Sequence, residues 1–220
     1  MTREPSFSSA EALRFGWRTT MANLKTLLAI GAFGAFLAML HQALTGDAHH
    51  ARPLLALVVQ VLQTGVTMAF IRTALKLHDG DKVDLSRPGE LLTGFFPYLL
   101  TSVLYGLIVG GGMVLLIVPG VIWAVQFGFA TFVSVDRKLD PIAALQESSH
   151  LTKGERWHLL AFGLAALGVN LVGALAFGVG LLVTIPTTTI GAAYVFRRLQ
   201  ATVEHAPPAL GLPPTPATSH

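Results

Sequence analysis

Long apolar runs separated by short polar segments set the pattern of this chain. Leu27 to Leu44 is 18 residues with one His and one Gln as its polar members, and Pro53 to Ile71 is 19 residues without a charge. Leu91 to Val135 runs for 45 residues, and Trp157 to Phe196 for 40, with no Asp, Glu, Lys or Arg. About 20 apolar residues of helix cross a hydrocarbon core of about 30 Å. The shorter runs are therefore one crossing each and the longer ones two each, which predicts about six transmembrane helices. The longer runs carry reversal signals near their middles: Gly110, Gly111 and Gly112 then Pro119 and Gly120 in one, and Gly178, Gly180 and Pro186 in the other. Gly and Pro interrupt helices, and Pro suits the first turn of the next one. Read as helix breaks, they give hairpins over 27–77, 91–135 and 157–200. Pro119 to Val135 is only 17 residues, about 25 Å of helix, and Pro186 to Arg197 only 12, about 18 Å. Full crossings are expected, with re-entrant hairpins as the alternative.

The polar segments have a pattern of their own. Ser8-x-x-Glu11 is a capping box, and Ala10, Leu13, Phe15, Trp17 and Met21 follow among polar residues, which predicts an amphipathic interfacial helix over 8–23. Asp140 suits an N-cap and Pro141 the first helical position, with Ile142, Ala143, Leu145 and Leu151 as an apolar side, predicting a second such helix over 140–153. Shifted by 132, Ala12-Leu13 matches Ala144-Leu145, Thr20 matches Thr152, and Leu27-Leu28-Ala29 matches Leu159-Leu160-Ala161. A weaker copy runs from Leu91, and a Gly with Leu four and Pro eight residues on recurs at Gly111–Pro119 and Gly178–Pro186. The expected fold is an all-α integral membrane protein, three repeats of interfacial helix plus membrane hairpin within residues 1–200. Residues 201–220 are rich in Pro and are expected to be a disordered tail.

Composition agrees with that pattern: 52% of residues are hydrophobic, 12% charged, and the mean hydropathy is +0.61. A soluble domain carries about a quarter charged residues, and with no cysteine a disulfide-stapled module is excluded. The net charge of +3 raises nucleic acid as a partner, but the cations are strung between apolar runs. Fourteen of fifteen fall on one side of the predicted bilayer, with Arg52 alone opposite. The positive-inside bias places that side, with both termini, in the cytoplasm, so no nucleic-acid partner is expected. No small-residue cleavage pattern follows the first apolar run, and no signal peptide is expected.

The stretch from Ile117 to Gly163 resembles the central signature of the YciC-like membrane proteins, through Pro119-Gly120, Asp136, Pro141, Ala144-Leu145, Ser148, Leu151, Gly154 and Trp157. It is also similar to the membrane domain that precedes some glycerophosphoryl diester phosphodiesterases. The resemblance covers most of residues 8–200. It implies a six-helix protein of the bacterial inner membrane whose function is largely unassigned. The phosphodiesterase activity is not expected to carry over, since the last helix is followed by too few residues for that domain.

Candidate chemistry is sparse. There is no G-x-S-x-G, H-E-x-x-H or GxxxxGK[ST] motif and no thiol, so no catalysis and no cofactor are expected. Asp79 to Glu90 has the length of a calcium loop, but Val83 and Asp84 stand where an oxygen ligand and Gly are required. His41, His49 and His50, near Asp47, are weak candidates for a transition metal, with an exposed polar turn as the simpler account. Gln60, Gln63, Gln126 and Asn170 lie within apolar runs and serve either as a polar path or, more simply, as hydrogen bonds between helices. Arg14, Arg18, Lys153 and Arg156, with Trp17 and Trp157, suit anionic lipid headgroups at the cytoplasmic face, or plain anchoring. A non-catalytic scaffold, accessory subunit or lipid-organising protein is expected, with the bilayer, a second copy or another membrane protein as partner. A small transporter or lipid-translocating protein is the alternative.

Overall fold

The computed structural model describes residues 7–46, 52–81, 83, 88–176 and 178–204. Among these every regular element is helical: α1 Ser9–Ala22, α2 Leu24–Thr45, α3 Pro53–Asp79, α4 Pro88–Leu91, α5 Phe95–Leu115, α6 Ile117–Phe127, α7 Ala130–Arg137, α8 Pro141–Leu151, α9 Arg156–Leu175 and α10 Leu181–Glu204. Five segments are long and apolar enough to cross a membrane: α2, α3, α5, α6 with α7 (Ile117–Arg137), and α9. Only 17% to 33% of their most apolar stretches is buried within the protein. Leu54, Val114 and Leu175 instead face outward, at 80%, 88% and 77% exposure. A water-soluble bundle turns such residues inward; this one has the exterior of a multi-pass membrane protein.

α10 differs from the five. It carries five threonines and Arg197, Arg198, Gln200 and Glu204, and it holds more buried residues than any other described helix, with Ile190, Ala193, Val195, Phe196 and Leu199 almost fully buried. It runs through Pro186, five residues after its start, so the helix does not begin at that proline. Pro186 has no N–H to bond one turn back. Next to it the hydroxyls of Thr187, Thr188 and Thr189 donate to the carbonyls of Val183, Thr184 and Ile185 at 2.8–3.0 Å, stitching the turn. α10 also continues through Ala201 to Glu204, where a disordered tail was expected; the rest of that tail, 205–220, lies outside the described residues.

α1 does more than lie at an interface. Its small residues Ala12, Gly16 and Thr20, one turn apart, are buried against α10. Gly16 meets the Thr187 carbonyl and Gly191 faces the Ala12 carbonyl, so the two backbones approach with no side chain between them. Arg14, Trp17 and Arg18 occupy the exposed side. The core beneath joins Met68, Ile71 and Leu75 of α3 to Val133 of α7 and Phe196 of α10, with Phe129 stacked on Phe196 at 5.9 Å.

The reversal in the second hairpin is at Leu116, between the glycine triplet and Pro119, both of which are helical. Gly112 and Gly120 face each other across it: a Cβ on Gly112 would stand 3.0 Å from the Gly120 Cα and 2.7 Å from the Trp123 ring. The glycines thus close the hairpin rather than break it. Gly178 and Gly180 do lie in a turn, between α9 and α10. Ahead of α5 the described residues hold only the four-residue α4 in place of a third interfacial helix, and Gly94 (φ 79) turns the chain into α5.

α8 answers a second break, at Gly128 and Phe129 between α6 and α7. The Ser148 hydroxyl donates to the Gln126 carbonyl at 3.0 Å and accepts from the Phe129 N–H at 3.2 Å, while Thr152 donates to the same carbonyl at 3.1 Å. Backbone groups freed at apolar depth need such partners.

Candidate functional site

Two of the cavities between the described helices stand out by their lining. The larger, of about 910 Å³, is partly open and lies between α2, α3, α7, α9 and α10 at the level of the apolar spans. Its width comes from small residues: Gly31, Gly34, Ala35 and Ala38 on α2, Ala166 on α9 and Ala192 on α10. Phe70, Phe132, Phe162, Leu182 and Ile185 supply apolar walls, and among the described residues no charged one lines it. Its hydroxyls are spent locally: Thr67 donates to the Gln63 carbonyl at 3.1 Å, Thr189 to that of Ile185 at 2.9 Å, and Thr188 to that of Thr184 at 3.0 Å. The Gln63 side-chain oxygen is buried without a donor. The site therefore offers an apolar space with little polar lining, which suits a hydrocarbon chain.

The smaller cavity, of about 350 Å³, lies at the basic end of the bundle between α3, α4, α7 and α10. Ile71 lines the apolar cavity and the next residue, Arg72, lines this one, since consecutive residues point about 100° apart on a helix. Arg72 donates to the carbonyls of Glu90 (2.6 Å), Thr93 (2.7 Å) and Val135 (3.3 Å), tying α3 to the start of the second hairpin and to the end of α7. Arg197 grips Asp79 through two N–H groups at 3.0 and 2.5 Å and Asp136 through a third at 2.8 Å. Gln200 accepts from Arg197 and donates to Asp136. Forked guanidinium bonds of this kind fix geometry as well as charge. Lys76 and Lys138 complete the wall, and neither pairs with a carboxylate among the described residues.

The residues singled out by sequence distribute unevenly over these sites. Gln63, Gly178 and Pro186 line the apolar cavity. Gln126 instead donates to Ser149 at 2.8 Å, joining α6 to α8, and Asn170 donates to Thr188 at 3.3 Å, joining α9 to α10. Gln60 is exposed on α3. No hydrogen bond joins these four amides to one another among the described residues. Arg14, Arg18, Lys153, Arg156, Trp17 and Trp157 are all exposed, and none lines either cavity. His41 sits near the end of α2 with a buried, unpartnered ring nitrogen, while His49 and His50 lie outside the described residues. Arg72, Lys76, Asp79, Asp136 and Arg197 were missed as a group, because in sequence they read as charges that set topology. A signal was present: Arg197 follows a 40-residue uncharged run and Asp136 ends a 45-residue one.

A family model described as a domain of unknown function (DUF7847) matches residues 89–218. The chain is 31% identical over 140 residues to the uncharacterized protein Rv2560 of Mycobacterium tuberculosis, which covers 59% of this chain and 43% of that protein. It is likewise 31% identical over 154 residues to the uncharacterized protein Mb2590 of Mycobacterium bovis, covering 64% and 45%. The chain thus spans less than half the length of these relatives. No solved structure matches it significantly.

Proposed function

The chain belongs to the DUF7847 family, a domain of unknown function, and from its own geometry we propose a non-catalytic multi-pass protein that holds a lipid chain and so organises lipid locally in the bacterial cytoplasmic membrane. The observation that carries this reading is the 910 Å³ cavity, apolar throughout its wall except for Gln63 and threonines already bonded to their own helices. Such a wall holds hydrocarbon and offers no group to move a proton, which favours binding over catalysis. The likeness to YciC-like proteins supports the inner membrane, and the one-sided distribution of cations supports cytoplasmic termini.

A lipid-translocating protein is the second reading. Gly178 and Pro186, at the turn and near the start of α10, both line the cavity, and helices interrupted in this way recur at transporter binding sites.

Purification in native nanodiscs, followed by mass spectrometry of retained lipid, tests the proposal. Ala166→Phe fills the cavity and is expected to remove a lipid that wild type retains, whereas Leu167→Phe, on the outward side of α9 at 64% exposure, is expected to keep it. Equal retention by both variants would sink the binding reading. Lipid scrambling by reconstituted wild type, abolished in Ala166→Phe, would replace it with the translocating one.

A further inference from the structure

We propose that the smaller cavity at the basic end is a binding site for a phosphate-bearing anion, either a lipid phosphate headgroup or a free phosphate ester. Four cations line it, Arg72, Lys76, Lys138 and Arg197, against three carboxylates. The carboxylates are already engaged: Asp79 and Asp136 are held by Arg197, and Glu90 is itself partnered. The seven groups together carry a net charge of +1, with Arg72, Lys76 and Lys138 not spent on a carboxylate among the described residues. Lys76 is half-buried on α3, and Lys138 reaches the opposite wall from the end of α7. Arg72 spends three of its five N–H groups on carbonyls, which leaves two donors on a guanidinium whose position those carbonyls fix. Two mobile ammoniums beside a fixed guanidinium match the several acceptor oxygens of a phosphate group.

The backbone at Lys138 adds an independent observation. Lys138 is the one non-glycine residue with positive φ among the described residues, at 54°. That conformation favours Gly at a helix end, and strained residues gather at ligand sites. Here that backbone ends α7 and Lys138 lines the cavity, its stem passing beside Gly94. The cavity also sits where the apolar stretch of α3 gives way to charge, the depth of a lipid headgroup, and basic pockets between membrane helices take phosphate headgroups. At 350 Å³ it admits a small headgroup and not a large one.

The test uses the full chain in phosphatidylcholine nanodiscs with and without phosphatidic acid, read by native mass spectrometry and by labelling of lysines with an amine-reactive reagent. Wild type is expected to enrich phosphatidic acid over phosphatidylcholine and to protect Lys76 and Lys138, with both effects weakening as salt rises. Lys76→Gln with Lys138→Gly is expected to reduce the enrichment at least tenfold. Lys138→Gly alone relieves the backbone, so it is expected to leave thermal stability unchanged or raised while weakening binding, which separates lost contact from lost fold. Protection by millimolar glycerol phosphate in discs lacking phosphatidic acid identifies a free ester as ligand; protection by phosphatidic acid alone identifies a lipid. Ala166→Phe leaves this binding intact, so failure of the lipid-chain reading would not mimic failure here. Equal retention of the two lipids by wild type, with neither probe protecting the lysines, overturns the proposal.

Discussion

Gly16 and Gly191 matter for what they lack. At Gly16 the Thr187 carbonyl occupies the place a Cβ would take, whereas a Cβ on Gly191 would stand 3.1 Å from the Ala12 carbonyl, tight but close to tolerable. Gly16→Leu is therefore expected to destabilise the protein by about 1–3 kcal/mol through overpacking, and Gly191→Ala by clearly less. Thermal unfolding in detergent, followed by tryptophan fluorescence, checks the order; equal midpoints would mean that α1 does not dock on α10 in this way. Neither glycine stood out in the sequence, where α1 read as a helix presenting Leu13, Phe15 and Trp17 to a bilayer surface. Periodicity identifies which residues share a helix face, but it does not say that another backbone will come close enough to exclude a methyl group. The same limit hid Arg197, whose partner Asp79 is 118 residues away.

Among the elements, α8 is the one whose role changes most between sequence and fold. Its first residue Pro141 and its apolar side were legible, although Asp140 stands at the N-cap position without a capping side-chain bond, and its observed span, Pro141–Leu151, falls within the expected 140–153. What was not legible is that Ser148 and Thr152 repair the break between α6 and α7. Ser148→Ala leaves the Phe129 N–H buried without its acceptor and is expected to cost about 1–3 kcal/mol. Thr152→Val costs less, since Ser148 still serves the Gln126 carbonyl. Thermal unfolding of the two single variants and the double, which share a partner and so should not add, checks this; equal single losses would reject it. The hairpin signals had a similar fate. Gly112 and Gly120 were read as breaking helices and instead let two helices meet, because the same missing side chain that loosens a helix also permits close approach.

For the whole molecule the orientation is the open prediction. The chain has no cysteine, so single cysteines report cleanly. Thr45→Cys at the end of α2 is expected to react with an impermeant thiol reagent applied to intact cells, and Asp81→Cys beyond α3 only after permeabilisation; the reverse pattern would invert the topology. That expectation rests on charges alone, and it is at this scale that the sequence says most. Hydrocarbon cannot solvate a charge or an unpaired peptide group, so outside a closed β-barrel a crossing segment must be a long uncharged helix, a one-dimensional rule that can be read along the chain. By itself the sequence therefore determined an all-helical chain with its apolar spans and the charges held outside them. The tertiary structure alone decided where the helices turn, that α10 is enclosed, and that Lys76, Lys138 and Arg72 face one cavity while Gln63 faces another. Those outcomes depend on how each helix is rotated and which backbone it touches, which is settled by packing among distant segments.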